Sequence, residues 1–242
     1  MTNIISLSGY IGSGKDSVGS IIQKLTTPKP YRCTEDEFGR TARDEKGNYI
    51  LKPEYSPWQI KKFAGKLKQI ASMMTGIPVE KFEDQEFKKT LLGPAWNYIK
   101  KTWNGVRPFG HEEKYEAQMS VREFLQKIGT EAIRDGLHTN AWVNALFADY
   151  TDTSQWIITD TRFPNEAQSI KDRGGIVIRV IRPEVCQDDE SSMLPKHPSE
   201  TALDDWIFDF VIFNDGTLQD LEVSVSQVLK LFNIPHYEPI PQ

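Results

Sequence analysis

Short apolar runs alternate with amphipathic segments along most of the chain. The apolar runs at 3–8, 156–160, 176–181 and 210–213 each have the length of a strand, and we predict that they form buried strands. Apolar residues recur at helical spacing between these runs, which predicts helices over 15–25, 58–75, 120–136, 140–150, 164–173 and 217–231. This alternation predicts an α/β fold with a largely parallel central sheet flanked by helices.

Three segments have a less regular pattern. Residues 27–57 contain repeated prolines and glycines, which predicts a long irregular segment. Residues 80–118 are strongly charged and predict one or two helices and a loop. Residues 183–200 predict a polar loop, because they include three prolines. The length of the chain is that of a single α/β domain over residues 1–242.

Composition narrows the function classes. The chain is 38% hydrophobic and 26% charged, as in ordinary globular proteins, and its net charge of −5 argues against a surface for nucleic-acid polymers. Cys33 and Cys186 have no metal-ligand spacing, so we expect free thiols in a reducing compartment. No apolar run reaches the ~18 residues that span a bilayer. Because no signal-peptide pattern opens the chain, we expect a cytoplasmic protein without a membrane partner.

The glycine-rich segment Gly9–Ser17 follows the first predicted strand and opens the first predicted helix. It nearly fits the pattern G-x-x-x-x-G-K-[ST], in which backbone N–H groups and a lysine surround phosphates. The helix start adds free donors and the positive end of its dipole. We therefore predict a nucleotide phosphate site that includes Gly12, Ser13, Gly14 and Lys15, with Lys15 near the terminal phosphates.

The residue after the lysine departs from this pattern. Asp16 stands where a hydroxyl is expected, and the hydroxyl of Ser17 comes one position later. Asp16 would act through a water of a Mg²⁺ ion while Ser17 binds phosphate, or Ser17 would bind the metal directly. The sequence leaves both arrangements open.

The predicted helix after Ser120 has a core face and a polar stripe. Taking ~100° per residue, Val121, Phe124, Leu125, Ile128 and Ala132 share the core face. The stripe contains Arg122, Gln126 and Gly129, with Thr130 beside them. An arginine binds phosphate through two N–H groups, an amide reads a base edge, and glycine admits a ligand or another helix. The alternative is a solvated helix face.

The strand predicted at 156–160 ends in an acidic residue. Asp160 stands at the carboxyl end of a predicted buried strand, where open α/β sheets bind ligands, and it would act on Mg²⁺ or its waters. Arg162 would bridge two phosphates and stabilise the charge of a transition state. The alternative is that Asp160 caps the next helix with Arg162 as its ion-pair partner.

Taken together, these motifs resemble those of the phage-type deoxynucleoside monophosphate kinases, a branch of the P-loop nucleoside monophosphate kinases. The resemblance rests on four segments in order: Gly9–Ser17, Phe63–Lys68, Leu125–Glu131 and Asp160–Ala167. Arg134, Trp142 and several short segments nearer the C-terminus support it. Residues 27–57 match nothing in this pattern, and Gly65-Lys66 replaces a small residue and a proline.

The resemblance implies a P-loop kinase fold with a helical acceptor-binding subdomain at about 58–150 and a lid at 183–200. It implies ATP and Mg²⁺ as cofactors, a deoxynucleoside monophosphate as acceptor, and a homodimer. Gly216 and Thr217 would lie near the adenine. The implied acceptor site consists of Lys68, Arg122, Gln126, Gly129, Thr130, Trp142, Asp160, Arg162 and Glu166.

Two other functions fit the same motifs. One is a P-loop kinase for a different small phosphorylated acceptor, against which Gln126 and Trp142 argue weakly because they suit a base. The other is a nucleotide-binding switch protein without rapid phosphoryl transfer. The intact Lys15 and Arg162 argue against a kinase that has lost its activity.

Overall fold

A computed structural model of the chain describes residues 2–28, 46, 55–104, 110–183 and 201–237. The chain divides into two units, Met1–Lys62 with Asp149–Gln242, and Phe63–Ala148. The strands of the described residues are β1 (Ile4–Ser8), β2 (Trp58–Lys61), β3 (Tyr98–Asn104), β4 (His111–Ala117), β5 (Gln155–Ile158), β6 (Ile176–Ile181) and β7 (Phe210–Phe213). The α-helices are α1 (Lys15–Thr26), α2 (Phe63–Thr75), α3 (Val121–Gln126), α4 (Ala141–Phe147), α5 (Pro164–Lys171) and α6 (Leu218–Leu231).

The first unit is built on a five-stranded sheet in the order β2-β5-β1-β6-β7. All four neighbouring pairs are parallel, which confirms the predicted α/β class. Strand β1 lies in the centre, and all five of its residues are buried. Because parallel strands end at the same edge, the loops after β1, β5 and β6 meet on one side of the sheet.

Helices α1 and α6 cover one core of this unit. Their apolar stripes belong to a buried cluster with Leu7, Ile157 and Ile178 of the sheet; the helical members are Val18, Ile21, Ile22, Leu25, Leu221, Val225, Val228 and Leu229. Thr217 caps α6, since its hydroxyl accepts the Asp220 backbone N–H and the Asp220 carboxylate accepts the Thr217 N–H. The predicted last helix is therefore confirmed to within a residue of its start.

Strand β2 corrects the predicted helix over 58–75. Its residues pair in parallel with β5, and Trp58 is 2% exposed. The helix begins only at Phe63. The apolar residues at 58, 60 and 63 show no break between strand and helix, so the sequence pattern predicts a single element.

The second unit packs α2 against α4 and the helix that begins with α3. Its core consists of Ala71, Phe82, Val121, Phe124 and Ile128. Three short 3-10 turns connect α2 to the hairpin, at Val79–Glu83, Phe87–Lys89 and Pro94–Trp96.

The antiparallel hairpin of β3 and β4 contradicts the helices predicted within 80–118. Nearly every residue of both strands is at least partly exposed, and the register pairs Lys101 with Lys114 and Trp103 with Glu112. A strand with two solvated faces shows no alternation of apolar and polar residues. The signal on which strand prediction depends is therefore missing here.

The helix after Ser120 changes its winding at Lys127. Residues Lys127–Asp135 form a π-helix, in which hydrogen bonds join residue i to i+5. The wider turn moves the core face from position i+4 to i+5. Ile133 therefore follows Ile128 into the core cluster, whereas Ala132, predicted for that face, is exposed.

The lid predicted at 183–200 lies outside the described residues except for Pro183, as does most of 27–57. Within the described part of the chain, no helix is long and apolar enough to cross a membrane.

The π-helical register predicts that substitutions of two adjacent residues change the free energy of unfolding by different amounts. Ile133→Ala should lower the free energy of unfolding by about 1–2 kcal/mol, because it removes packed methyl groups from the second unit. Ala132→Glu should change it by less than about 0.5 kcal/mol, because that side chain points to solvent. Urea unfolding of both variants measures this. The reverse order of effects would mean that the α-helical register continues.

Candidate active site

The loop between β1 and α1 is packed tightly against the neighbouring strands. Gly12 and Gly14 have φ values of 80° and 97°, which favour glycine. A Cβ on Gly14 would lie 2.4 Å from Asn214 Nδ2, and one on Gly9 would lie 2.3 Å from the Val180 carbonyl oxygen. Asn214 Nδ2 also donates to the Ser13 carbonyl at 3.0 Å. The backbone of the loop is thus held by β6 and by the residue after β7.

The start of α1 points its free donors into this loop. Gly14 is the N-cap and supplies no side-chain acceptor, so the first backbone N–H groups of α1 receive no side-chain cap. Ser13, just before it, is 1% exposed. Free N–H groups at a helix start, with the positive end of the dipole, are suited to binding phosphate oxygens.

Lys15 lies across the loop. Its Nζ donates to the carbonyl oxygens of Gly9 at 2.8 Å and Tyr10 at 2.7 Å. Burial lowers the pKa of Lys15 from 10.5 to about 8, helped by the positive charges of Arg162 and Arg179; Asp16 and Asp160 act in the opposite direction. Two arginines therefore repel the charged form of Lys15, and a bound anion would reduce this repulsion.

Asp16 is fixed by two neighbours from the strands beside α1. Its Oδ1 accepts the hydroxyl of Thr159 at 2.8 Å and forms an ion pair with Lys62 Nζ at 3.0 Å. Burial acts to raise the pKa of Asp16, but the hydrogen bonds from Lys62 and Thr159 and the charges of Lys62 and Lys15 outweigh it, so the pKa falls below its usual value. The carboxylate is thus ionised at neutral pH.

A surface groove of about 480 Å³ begins beside Asp16 and Ser17. It runs along one side of α1, and Leu218 and Glu222 of α6 form its other side. Gly216 and Thr217, predicted near the adenine, directly precede Leu218. Hydrogen bonds from the Thr217 hydroxyl and backbone N–H lower the pKa of Asp220, which keeps this helix cap charged.

The loop after β5 carries three of the predicted residues. Asp160 is partly exposed. Arg162 is exposed, and its positive charge lowers the pKa of Lys15. Glu166 is 3% exposed, and its Oε2 accepts the backbone N–H groups of Arg162 at 2.9 Å and Phe163 at 3.1 Å. Glu166 therefore caps α5 and shapes the loop that presents Arg162.

In the second unit, Lys68 is buried and paired. Its Nζ lies 2.6 Å from Glu83 Oε1, and the residue is 8% exposed. Arg122 and Gln126 lie on the exposed side of α3, one turn apart. Arg122 Nη2 donates to Gln85 Oε1 at 3.4 Å. These two side chains are accessible to a ligand, while Lys68 carries its own carboxylate partner.

Gly129 and Thr130 lie within the π-helical segment, and Trp142 packs beside it. A Cβ on Gly129 would lie 3.1 Å from Leu67 Cδ2, so close packing of α2 accounts for this glycine, one of the two explanations left open. Trp142 is 6% exposed, and its Nε1 donates to the Gly129 carbonyl at 2.8 Å. Thr130 is partly exposed.

Several residues of this site carry no sequence signal of their own. Lys62, Thr159 and Asn214 hold the phosphate-binding loop or the start of α1, yet they are far from it in sequence. Their only common signal is position, since each follows directly after a strand of the parallel sheet. The sequence leaves open whether Arg179 contributes charge to the site or points to solvent from its strand; it is 8% exposed.

A parallel sheet with a glycine-rich loop, a half-buried lysine and a helix start at its carboxyl edge defines the P-loop kinase-like fold. Residues 81–225 match the sequence pattern of the family described as deoxynucleotide monophosphate kinase. The chain belongs to this family.

Three relatives differ in how much of the chain they match. The deoxynucleotide monophosphate kinase of Enterobacteria phage T4 is 30% identical over 153 residues, covering 61% of this chain and 57% of its own length. That of Escherichia phage RB69 is 28% identical over 116 residues, covering 46% and 45%. In both, the chain spans about half the length of the relative. The deoxynucleoside-5'-monophosphate kinase of Escherichia phage T5 is 23% identical over 231 residues, covering 84% and 86%.

The lowered pKa of Lys15 predicts an amine that reacts at unusually low pH. Because only the neutral amine is acylated, the labelling rate of Lys15 in the native protein should reach half its maximum near pH 8. In concentrated urea the midpoint should return towards 10.5. Mass spectrometry of the Lys15 peptide measures both. In Arg162→Gln the native midpoint should rise, because one cation is removed. A shared midpoint in native and unfolded protein would contradict the prediction.

Proposed function

We propose that the protein transfers the γ-phosphoryl group of ATP to a deoxynucleoside monophosphate, producing ADP and a deoxynucleoside diphosphate. The observation that carries the proposal is the geometry of the phosphate-binding loop, where the half-buried Lys15 lies beside the uncapped start of α1 and within the field of Arg162 and Arg179. Such an arrangement favours a multiply charged anion over a neutral ligand. Membership of the deoxynucleotide monophosphate kinase family supports the same chemistry.

ATP would bind along the first unit. Its terminal phosphates would accept the N–H groups of Gly12 and Gly14 and one N–H of the Lys15 ammonium, whose other two donors hold the carbonyl oxygens of Gly9 and Tyr10. The groove beside α1 and α6 offers room for the nucleoside, with Gly216 and Thr217 next to it. The start of α1 would contribute its dipole to the same phosphates.

Mg²⁺ would be held by Asp16 and Ser17, with Asp160 acting on its waters. In the described residues there is no group of three His, Cys, Asp or Glu side chains that could hold a metal ion. The ion would therefore be bound partly by protein groups and partly by phosphate oxygens of the nucleotide. The ionised carboxylate of Asp16 and the hydroxyl of Ser17 fit this requirement. When bound, Mg²⁺ neutralises charge on the phosphates.

Six of the predicted acceptor residues lie in the second unit, Phe63–Ala148, and Arg122 and Gln126 are the two whose side chains are exposed there. Arg122 would bind the acceptor phosphate through two N–H groups, and the amide of Gln126 would read the base edge. Lys68, Trp142 and Gly129 would act by shaping this surface, because their own side chains or carbonyl groups are engaged within the unit.

The transfer requires little chemistry from the protein. An oxygen of the acceptor phosphate forms a bond to the γ-phosphorus, and the bond from that phosphorus to the oxygen bridging to the β-phosphate breaks, so ADP leaves. The acceptor oxygen is already anionic, and no strong general base is needed. Lys15 and Arg162 stabilise the charge that spreads over the transferred group. We place this reaction in the cytoplasm, where its substrates occur.

The first test is turnover with each acceptor. The protein, ATP and Mg²⁺ are combined with each deoxynucleoside monophosphate and each ribonucleotide in turn, and ADP and diphosphate formation are followed. We expect turnover with at least one deoxynucleotide. Lys15→Ala should lower kcat by on the order of 10²–10³-fold, because a charge aimed at the reacting phosphate is lost. Lys89→Ala, which removes an exposed lysine paired with Glu86, is the matched control and should retain activity.

Other outcomes identify the two alternative functions. Turnover only with a different phosphorylated compound would indicate a kinase for another small acceptor. ATP binding or slow hydrolysis without any transfer would indicate a nucleotide switch.

The acceptor assignment predicts a selective change in KM. Arg122→Lys should raise KM for the deoxynucleotide about 10-fold, because a charge-assisted bidentate contact becomes a single point charge. The KM for ATP should not change. Steady-state kinetics with each substrate varied in turn separate the two values. Equal changes in both would place Arg122 outside the acceptor site.

A further inference from the structure

Behind the phosphate-binding loop, Arg179 occupies an unusual environment for a strand residue. It lies in β6 opposite Ser8 of β1 and is 8% exposed. Its guanidinium carbon lies 4.9 Å from the centre of the Tyr10 ring and 5.4 Å from that of the Phe208 ring. Both rings attract a cation, so the guanidinium is held between two aromatic side chains.

One carboxylate joins this arginine to the loop. Asp204 Oδ1 accepts Arg179 Nη2 at 2.9 Å, and both Asp204 oxygens lie 3.1 Å from the Tyr10 hydroxyl. The segment that carries Asp204 is itself anchored, because Leu203 is 2% exposed and the Asp209 carboxylate accepts the Val177 N–H. Tyr10 is therefore held by its ring and its hydroxyl at once.

Tyr10 belongs to the phosphate-binding loop, and its backbone carbonyl contacts Lys15. Its carbonyl oxygen accepts Lys15 Nζ at 2.7 Å and the Ser13 N–H at 3.2 Å. A shift of Tyr10 would therefore move the lysine and the turn that precedes α1. The chain of contacts runs from Arg179 through Asp204 to Tyr10, and from there to Lys15.

Stability alone is a weak explanation for a cation in this position. The Asp204 side chain is 38% exposed, and an ion pair that water screens contributes little net stability. The contacts of Arg179 instead meet at Tyr10, whose carbonyl oxygen accepts the lysine of the phosphate-binding loop.

We propose that Arg179 is a positioning residue of the phosphate-binding loop, which it holds in its binding conformation through Asp204 and Tyr10 without touching the phosphates. The inference deepens the proposed function and rests on it for the identity of the ligand. The segment 201–209 thereby becomes part of the phosphate site, although it contains no residue of the loop motif.

Two measurements that need no turnover test the proposal. Calorimetry of ATP with Mg²⁺, in the absence of acceptor, gives the affinity, and hydrogen exchange of the backbone N–H groups at 9–17 reports the loop without any ligand. Arg179→Met should weaken ATP binding about 10-fold and speed exchange in the loop, because the contacts with Asp204, Tyr10 and Phe208 are lost. Arg179→Lys should restore both only in part, because it keeps the charge but loses the planar contacts.

The contact chain itself is tested by two smaller changes. Tyr10→Phe keeps the ring and removes the bond to Asp204, and Asp204→Asn removes the carboxylate charge. Each should weaken ATP binding, and the double variant should weaken it by less than the product of the two effects, since both act through one contact. Affinity for the deoxynucleotide should stay unchanged throughout.

Arg173→Met is the matched control, because Arg173 bonds the Ser169 carbonyl at the end of α5, away from the loop. It should leave ATP affinity and hydrogen exchange in the loop unchanged. If Arg179→Met and Tyr10→Phe lower stability but change neither ATP affinity nor hydrogen exchange in the loop, Arg179 is structural only and the proposal is wrong. If wild-type protein binds ATP but transfers nothing, the kinase assignment fails, and the role of Arg179 is still decided by these two readouts.

Discussion

The packing of the phosphate-binding loop against the sheet is the constraint on which the site depends. Gly9 approaches Val180 and Gly14 approaches Asn214 too closely for any side chain, and Asn214 donates to the Ser13 carbonyl. Parallel strands deliver their following loops to one edge of the sheet, so Lys15 feels the charges of the arginine after β5 and of the arginine within β6. The half-buried lysine is thus kept beside the uncapped start of α1, and we propose a polyphosphate as the ligand class that this arrangement binds.

Much of the first unit could be predicted from the sequence, because its elements are buried on one side or on both. The runs at β1, β6 and β7 are apolar, and the Thr217–Asp220 cap marks the start of α6. Elements without that signature were missed. Strand β2 continues into α2 with no polar break, and β3 and β4 expose both faces. A period of ~100° per residue does not predict the π-helix. The five-residue spacing of Ile128 and Ile133 is the sequence feature that indicates the wider turn.

The candidate site divides in the same way. Residues of the phosphate-binding loop could be named from local sequence, since glycines, a lysine and a helix start must be adjacent for that chemistry. The residues that hold the loop could not, because only the strand order brings them there. Asn214, Thr159 and Asp204 contact the loop or α1 across 143 to 201 positions of sequence. Polar residues directly after parallel strands are therefore worth examining as a group when a loop of this kind is found.

We propose that the anion bound at Lys15 is a phosphoryl donor whose terminal group goes to a nucleotide. The experiment that decides this uses ATP labelled in its γ-phosphate, incubated with Mg²⁺ and a mixture of deoxynucleoside monophosphates. We expect the label in the terminal phosphate of a deoxynucleoside diphosphate. Label that appears only as inorganic phosphate would show that water, not a nucleotide, receives the group, and the proposed kinase activity would be wrong.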